Sequence, residues 1–170
     1  VYYALGTESF ARQLSGAGLR VITDLNRKSI KFDDPEYDNL PGVAVLSYDT
    51  EINYRKIEDF TLLLMKGKDY VATHPDMLCP TWYGDAVDAG CYIEMFKTAT
   101  GRTPYIVGKP QPGMAQTAMK LRGCTPEETC FIGDRLNTDI LCAINAGIDS
   151  ILVLSGDHDR SDIERLKIHP

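Results

Sequence analysis

Phe131-Ile132-Gly133-Asp134-Arg135-Leu136-Asn137-Thr138-Asp139-Ile140 is the stretch that decides the fold. An apolar strand, Thr129 to Ile132, runs into Gly-Asp, and a second Asp follows where a helix should begin. In an open α/β sheet ligands bind at the carboxyl ends of the strands, and this pattern puts Asp134 there. Two carboxylates converging at a strand end suit a hard cation such as Mg²⁺, which completes its octahedron with water and phosphate oxygens. The run is equally compatible with a solvated loop whose Asp139 sits favourably at a helix N-terminus.

A segment upstream separates these readings. Tyr105-Ile106-Val107 reads as a short buried strand, ending in Gly108-Lys109-Pro110 before a helix that opens near Pro112. Proline is tolerated in the first helical turn because its missing N–H would be unpaired there. Lys109 therefore sits on another strand-end loop, as a compact point charge suited to a phosphate or a buried carboxylate. Lysine first and Gly-Asp-x₄-Asp afterwards is far more specific than either alone.

Outward from these segments, strand and helix patterns alternate along the chain, which argues an α/β fold. Thr7 and Asn53 are expected helix caps, and Gly67, Gly101, Gly123 and Gly147 expected stops. Asn26 to Pro41 reads as an exposed connection, and a long loop after Thr73 leads to a helix from about Cys91 to Ala99. A helix is expected over Asn137 to Ala146 and a strand over Ser150 to Leu154, with His158 and His169 exposed in a tail.

Charge and composition exclude more than they select. The chain has 18 basic and 24 acidic residues, a net charge of −6, so it does not steer nucleic acid. No apolar run approaches the ~20 residues that span a bilayer, so no membrane partner is expected. Five cysteines, Cys79, Cys91, Cys124, Cys130 and Cys142, show no C-x-x-C spacing. Zinc and a disulfide framework are thus not expected, and reduced thiols in a cytoplasmic protein are. Cys130 and Cys142 are read as small core hydrophobes.

Val107-Gly108-Lys109-Pro110 followed by Gly133-Asp134-Arg135-Leu136-Asn137-Thr138-Asp139-Ile140 resembles the third and fourth motifs of the haloacid dehalogenase (HAD) superfamily, in its NagD/p-nitrophenylphosphatase branch. Ala72-Thr73-His74-Pro75-Asp76, Thr100-Gly101-Arg102 and Leu152-Val153-Leu154-Ser155-Gly156 agree with that branch. The resemblance implies a C2-type α/β cap over residues 1–103 and the C-terminal portion of a Rossmann-like core over 104–170. It implies a Mg²⁺-dependent phosphatase acting on small phosphorylated metabolites through an aspartyl-phosphate. Asp134 would be the metal ligand. Asp139 would be a more distant or water-bridged carboxylate that orients Lys109, and Lys109 would hold the attacking carboxylate and the phosphoryl oxygens. Gly133 would let the backbone approach the ion, and Asn137 would cap the next helix or touch the site. The loop Pro80 to Gly90 would face substrate, with Trp82 and Tyr83 stacking on a ring or sugar face, or simply packing the cap. Asp88 would accept from substrate hydroxyls. A homodimer through the cap is left open.

Two departures stand out. His74 occupies a position where this branch more usually has Asn. The Asp-x-Asp nucleophile motif and the phosphate-binding Ser/Thr motif are not visible. Asp24 and Asp49 each follow a strand-like run, but neither is followed by the expected turn residues. The expectation is therefore a C-terminal fragment of a longer enzyme, inactive by itself. The competing expectation is a non-catalytic cap-plus-partial-core module that binds or dimerises.

Overall fold

Tyr2–Leu5 (β1), Val43–Leu46 (β3) and Asp69–Ala72 (β4) are short runs rich in β-branched and aromatic side chains, the composition of strands buried in a parallel sheet. They pair in parallel, Tyr2 opposite Val43 through Leu5 opposite Leu46, and Val43 opposite Asp69 through Leu46 opposite Ala72. With Val21–Ile22 (β2) and Tyr105–Ile106 (β7) they form a five-stranded sheet of order β2-β1-β3-β4-β7. The computed structural model describes residues 1–27 and 40–170, so most of the connection expected over Asn26 to Pro41 lies outside the described residues.

The helices start and stop where local chemistry permits. Thr7 caps Glu8–Gly16 (α1) through the Phe10 amide, and Asn53 caps Tyr54–Met65 (α2) through the Lys56 amide. Ala89–Thr100 (α3) begins at Asp88 and ends at Gly101, whose φ of 72° only glycine adopts without strain. Phe60, Leu63 and Leu64 on α2 are buried, with Phe60 packed against Tyr70 at 5.3 Å and Phe96 at 4.7 Å between ring centroids.

The chain divides into two compact units, Val1–Tyr105 and Ile106–Pro170. The second holds Gly113–Arg122 (α4), Cys130–Gly133 (β8), Leu141–Ala146 (α5), Asp149–Leu152 (β9) and Arg160–Leu166 (α6). β8 and β9 pair in parallel, Cys130 opposite Asp149 through Gly133 opposite Leu152. Ala115, Cys142, Ala143 and Ile148 form a small buried cluster with Met119, Phe131 and Ala146 packed on it.

Several expectations are corrected. The long loop after Thr73 contains an antiparallel hairpin, Leu78–Thr81 (β5) with Gly84–Val87 (β6), joined by Trp82 and Tyr83. Tyr105 and Val107 are exposed, so the strand before Lys109 is not a buried one. The helix expected from Asn137 is a π-turn over Leu136–Ile140 that feeds α5, with the Ile140 amide donating to Arg135 O at 3.1 Å. Asn137 caps nothing: the turn begins at Arg135 without a side-chain cap. Cys130 is exposed and only Cys142 is buried as expected. The tail is also structured, because Asp159 and Asp162 cap α6 reciprocally.

Candidate active site

Lys109, Asp134 and Asp139 all lie in the second unit, and Asp139 is the hub that joins them. Its side chain is 6 % exposed, and Oδ1 accepts from Lys109 Nζ at 2.6 Å. Oδ2 accepts from the Arg135 amide at 3.2 Å, so one carboxylate fixes both the lysine and the backbone just after Asp134. The Lys109 side chain is 39 % exposed, so its charge is half solvated and still reaches out of the fold.

The glycines make room for these carboxylates. A Cβ on Gly133 would fall 2.3 Å from Asp139 Cβ, so the absent side chain is what lets Asp139 fold back across the strand end. Gly133 thus makes room for Asp139, a duty the sequence reading did not assign to it. A Cβ on Gly156 would fall 2.0 Å from Asp134 Oδ2. Asp134 is held there by the Asp157 amide, which donates to Oδ2 at 3.0 Å. The π-turn adds to the arrangement, because such turns widen the helix locally and gather at functional sites.

This donor set fits a hard divalent cation. A carboxylate lies in a cradle that any side chain at 156 would fill. One or two carboxylates with room for water and phosphate oxygens is the coordination that Mg²⁺ favours over an all-protein cage.

The residues expected to meet substrate lie in the first unit. Trp82 and Tyr83 occupy the hairpin turn at 94 % and 68 % exposure, their rings edge-on at 5.2 Å, so neither packs a core. Asp88 is buried at 6 % exposure and committed: Oδ1 accepts from the Ala89 amide at 2.6 Å and lies 2.8 Å from His74 Nε2. The other ring nitrogen, His74 Nδ1, lies 2.7 Å from Thr73 Oγ1. Asp76 brings a third ligand-type atom within 4.8 Å of the His74 and Asp88 atoms. Both imidazole nitrogens already have protein partners, so the cluster reads as an oriented histidine.

Asp49 and Asp24 are both held by cations. Asp49 is buried, accepting from Lys56 Nζ at 2.9 Å and from the Glu51 amide at 2.8 Å. Asp24 pairs with Arg55 at the surface, at 2.6 Å. Two polar residues escaped the sequence reading. His158 takes the Leu136 amide on Nδ1 at 2.8 Å rather than standing free in a tail. Asp59, fully buried on α2, accepts from Tyr3 Oη, the Leu25 amide and Arg27 Nε. A charged residue set among Ile57, Phe60 and Leu63 was the available signal for Asp59; nothing local signalled His158.

The chain is similar to several known proteins. Residues 106–170 match the family described as HAD-hydrolase-like. A dihydroxyacetone phosphatase of Corynebacterium glutamicum is 30 % identical over 168 residues, 99 % of this chain and 56 % of that protein. The structure of a 4-nitrophenylphosphatase from Thermotoga maritima superposes with a TM-score of 0.80 at 34 % identity, covering 96 % of this chain and 57 % of that one. NagD from Escherichia coli K-12 gives 0.80 at 28 %, covering 99 % and 60 %. A glycerol phosphate phosphatase of Mycobacterium tuberculosis in complex with magnesium gives 0.82 at 27 %, covering 95 % and 45 %. Residues 106–170 thus carry the HAD-like match, and over nearly its whole length the chain is similar to proteins of the NagD-like branch. It spans a little over half the length of the curated relative it matches.

Proposed function

We propose that this chain is part of a phosphatase that hydrolyses small phosphate monoesters, with residues 1–103 acting as a C2-type cap and 104–170 as the C-terminal part of the catalytic core. The observation that carries the reading is the Lys109–Asp139 pair at 2.6 Å, with Asp139 also bonded to the amide after Asp134. A phosphate monoester resists hydrolysis because its anionic oxygens repel a nucleophile, so catalysis is mostly positioning and charge neutralisation. Lys109 would supply a cation against the phosphoryl oxygens and the attacking carboxylate. Asp139 would keep that ammonium aimed. Asp134, seated against Gly156, would hold Mg²⁺, which when bound neutralises phosphate charge and aligns the phosphoryl group. The attacking aspartate would come from the part of the relatives that these residues do not span, with Asp24 and Asp49 already engaged elsewhere.

Substrate choice would fall to the first unit. Trp82 and Tyr83 offer open ring faces to a sugar or aromatic leaving group. Asp88 would act at one remove, orienting His74 rather than meeting substrate itself.

The test is hydrolysis of p-nitrophenyl phosphate by the full protein, with Mg²⁺, with EDTA, and for Asp134→Asn. Turnover should require the divalent ion and drop by orders of magnitude in the variant. Undiminished activity in EDTA, or in Asp134→Asn, would overturn the metal role.

A further inference from the structure

We propose that His158 is a positioning residue for the Asp134 loop, its imidazole doing the capping that the π-turn lacks. The proposal rests on the phosphatase reading of that loop. Residues 157 and 158 grip three consecutive positions. The Asp157 amide donates to Asp134 Oδ2 at 3.0 Å, and the His158 amide donates to Asp134 O at 3.1 Å. Arg135 Nε lies 3.1 Å from Asp157 Oδ2, and the Leu136 amide donates to His158 Nδ1 at 2.8 Å. Gly156 allows this approach, since a Cβ there would strike Asp134.

The Leu136 amide opens the π-turn, and the first N–H groups of any helical turn lack partners within it. A Ser, Thr, Asn or Asp ordinarily answers them, but Arg135 at the cap position makes no side-chain cap bond. Leu136 is fully buried, so water is a poor substitute. His158 answers from 22 residues further along the chain. A ring nitrogen that accepts an N–H carries no proton, so His158 is the Nε2–H tautomer with Nδ1 as acceptor. The bond fixes where the π-turn starts, and so where the Asp134 carboxylate points. Outer partners that orient a metal-binding side chain typically change metal affinity roughly 10- to 100-fold when removed.

The test uses the full protein with Mg²⁺ as probe. ¹⁵N NMR of wild-type His158 should show the Nε2–H tautomer, and the Leu136 amide should be protected from hydrogen exchange. In His158→Ala that protection should be lost, and calorimetric titration should show Mg²⁺ bound roughly 10- to 100-fold more weakly. His158→Asn, whose Oδ1 can accept the same bond, should recover most of both. Asp134→Asn is the control: if it leaves Mg²⁺ affinity intact, the phosphatase reading of the loop fails. If it abolishes binding while His158→Ala changes neither Leu136 exchange nor affinity, only the positioning role fails. Should His158→Ala not fold, an Nδ1–H tautomer or an unprotected Leu136 amide in the wild type would overturn the proposal by itself.

Discussion

The two units solve the packing problem to different extents, and the proposed chemistry falls on the less fully packed one. In Val1–Tyr105 a parallel sheet of up to five strands buries Tyr3, Leu5, Leu46, Phe60, Leu63 and Phe96. In Ile106–Pro170 the sheet has two strands, and Ile132, Ile151, Val153 and Leu154 remain exposed on or beside them. Parallel sheets are stable when both faces are covered, and a two-stranded sheet is marginal by itself. Yet the second unit carries Lys109, Asp134 and Asp139, while the described residues of the first offer the hairpin rings and an oriented histidine. Core burial and the proposed catalytic residues thus fall in different units, and each can be tested without the other.

The largest expected effect is on chemistry alone. Lys109→Ala in the full protein should lower turnover about 10²- to 10³-fold, the scale for removing one positioned donor from developing charge. Mg²⁺ affinity should stay unchanged or improve, because a competing cation is gone, and the melting of the first unit should not move. Near-full turnover in this variant would make Lys109 an ordinary loop residue and its pairing with Asp139 incidental.

A stability test addresses the other side. Phe60→Ala removes a ring packed on Tyr3, Tyr70 and Phe96 and should cost about 3–5 kcal/mol, seen as a lower unfolding midpoint of the first unit. Leu121→Ala, at an exposed position of the second unit, should stay within about 0.5 kcal/mol. Hydrogen exchange reads the same contrast without a mutation. Amides of β1, β3 and β4 should be better protected than those of β8 and β9, and the reverse order would break the comparison.

Asp59 should show a smaller effect of a different kind. It is fully buried, and burial together with its charge pushes the Tyr3 phenol well above the usual tyrosine range. Asp59→Ala strands Tyr3 Oη and the Leu25 amide, an expected cost of about 1–3 kcal/mol, whereas Asn keeps an acceptor and should recover part of it. Equal melting of Ala and Asn variants would mean that the hydrogen bonds contribute nothing beyond volume.

What was legible in the sequence follows from range. Thr7, Asn53, Gly101, Gly123 and Gly147 act through their neighbours in the chain, and each stands where its local chemistry predicts. The placement of Lys109, Asp134 and Asp139 just beyond strand ends was legible because those ends are punctuated by glycine. The hairpin over Leu78–Val87 was missed because Pro80 interrupts one strand and Trp82-Tyr83 is not a turn-forming pair. The π-turn was missed because one extra residue per turn leaves no periodic trace. Gly156 on Asp134 and the reach of His158 to Leu136 are contacts between distant positions, which no local pattern encodes.

The smallest expected effect concerns α6, the helix that follows His158. Asp159 takes the Ser161 hydroxyl and the Ser161 and Asp162 amides, and these bonds hold its carboxyl below the usual range. Asp162 is lowered by the Asp159 amide first and by Arg165 second. A carboxyl depressed by folding prefers the ionised form in the native state. Its stabilisation is therefore complete above the unfolded value of about 3.9 and is lost as pH falls through the lower native value. Asp159 is exposed and Asp162 half-buried at the surface, so the effect should be small and should shrink with added salt. NMR titration should show both carboxyls titrating below the unfolded value, with faster exchange of the Ser161 and Asp162 amides as they protonate. Asp159→Ala at neutral pH should likewise speed exchange of the Ser161 and Asp162 amides and leave the Leu136 amide protected, because the caps of α6 and the His158 bond use different groups. Simultaneous loss of both would mean that α6 and the Asp134 loop open as one unit, extending the weakly packed region of the second unit into its candidate active site.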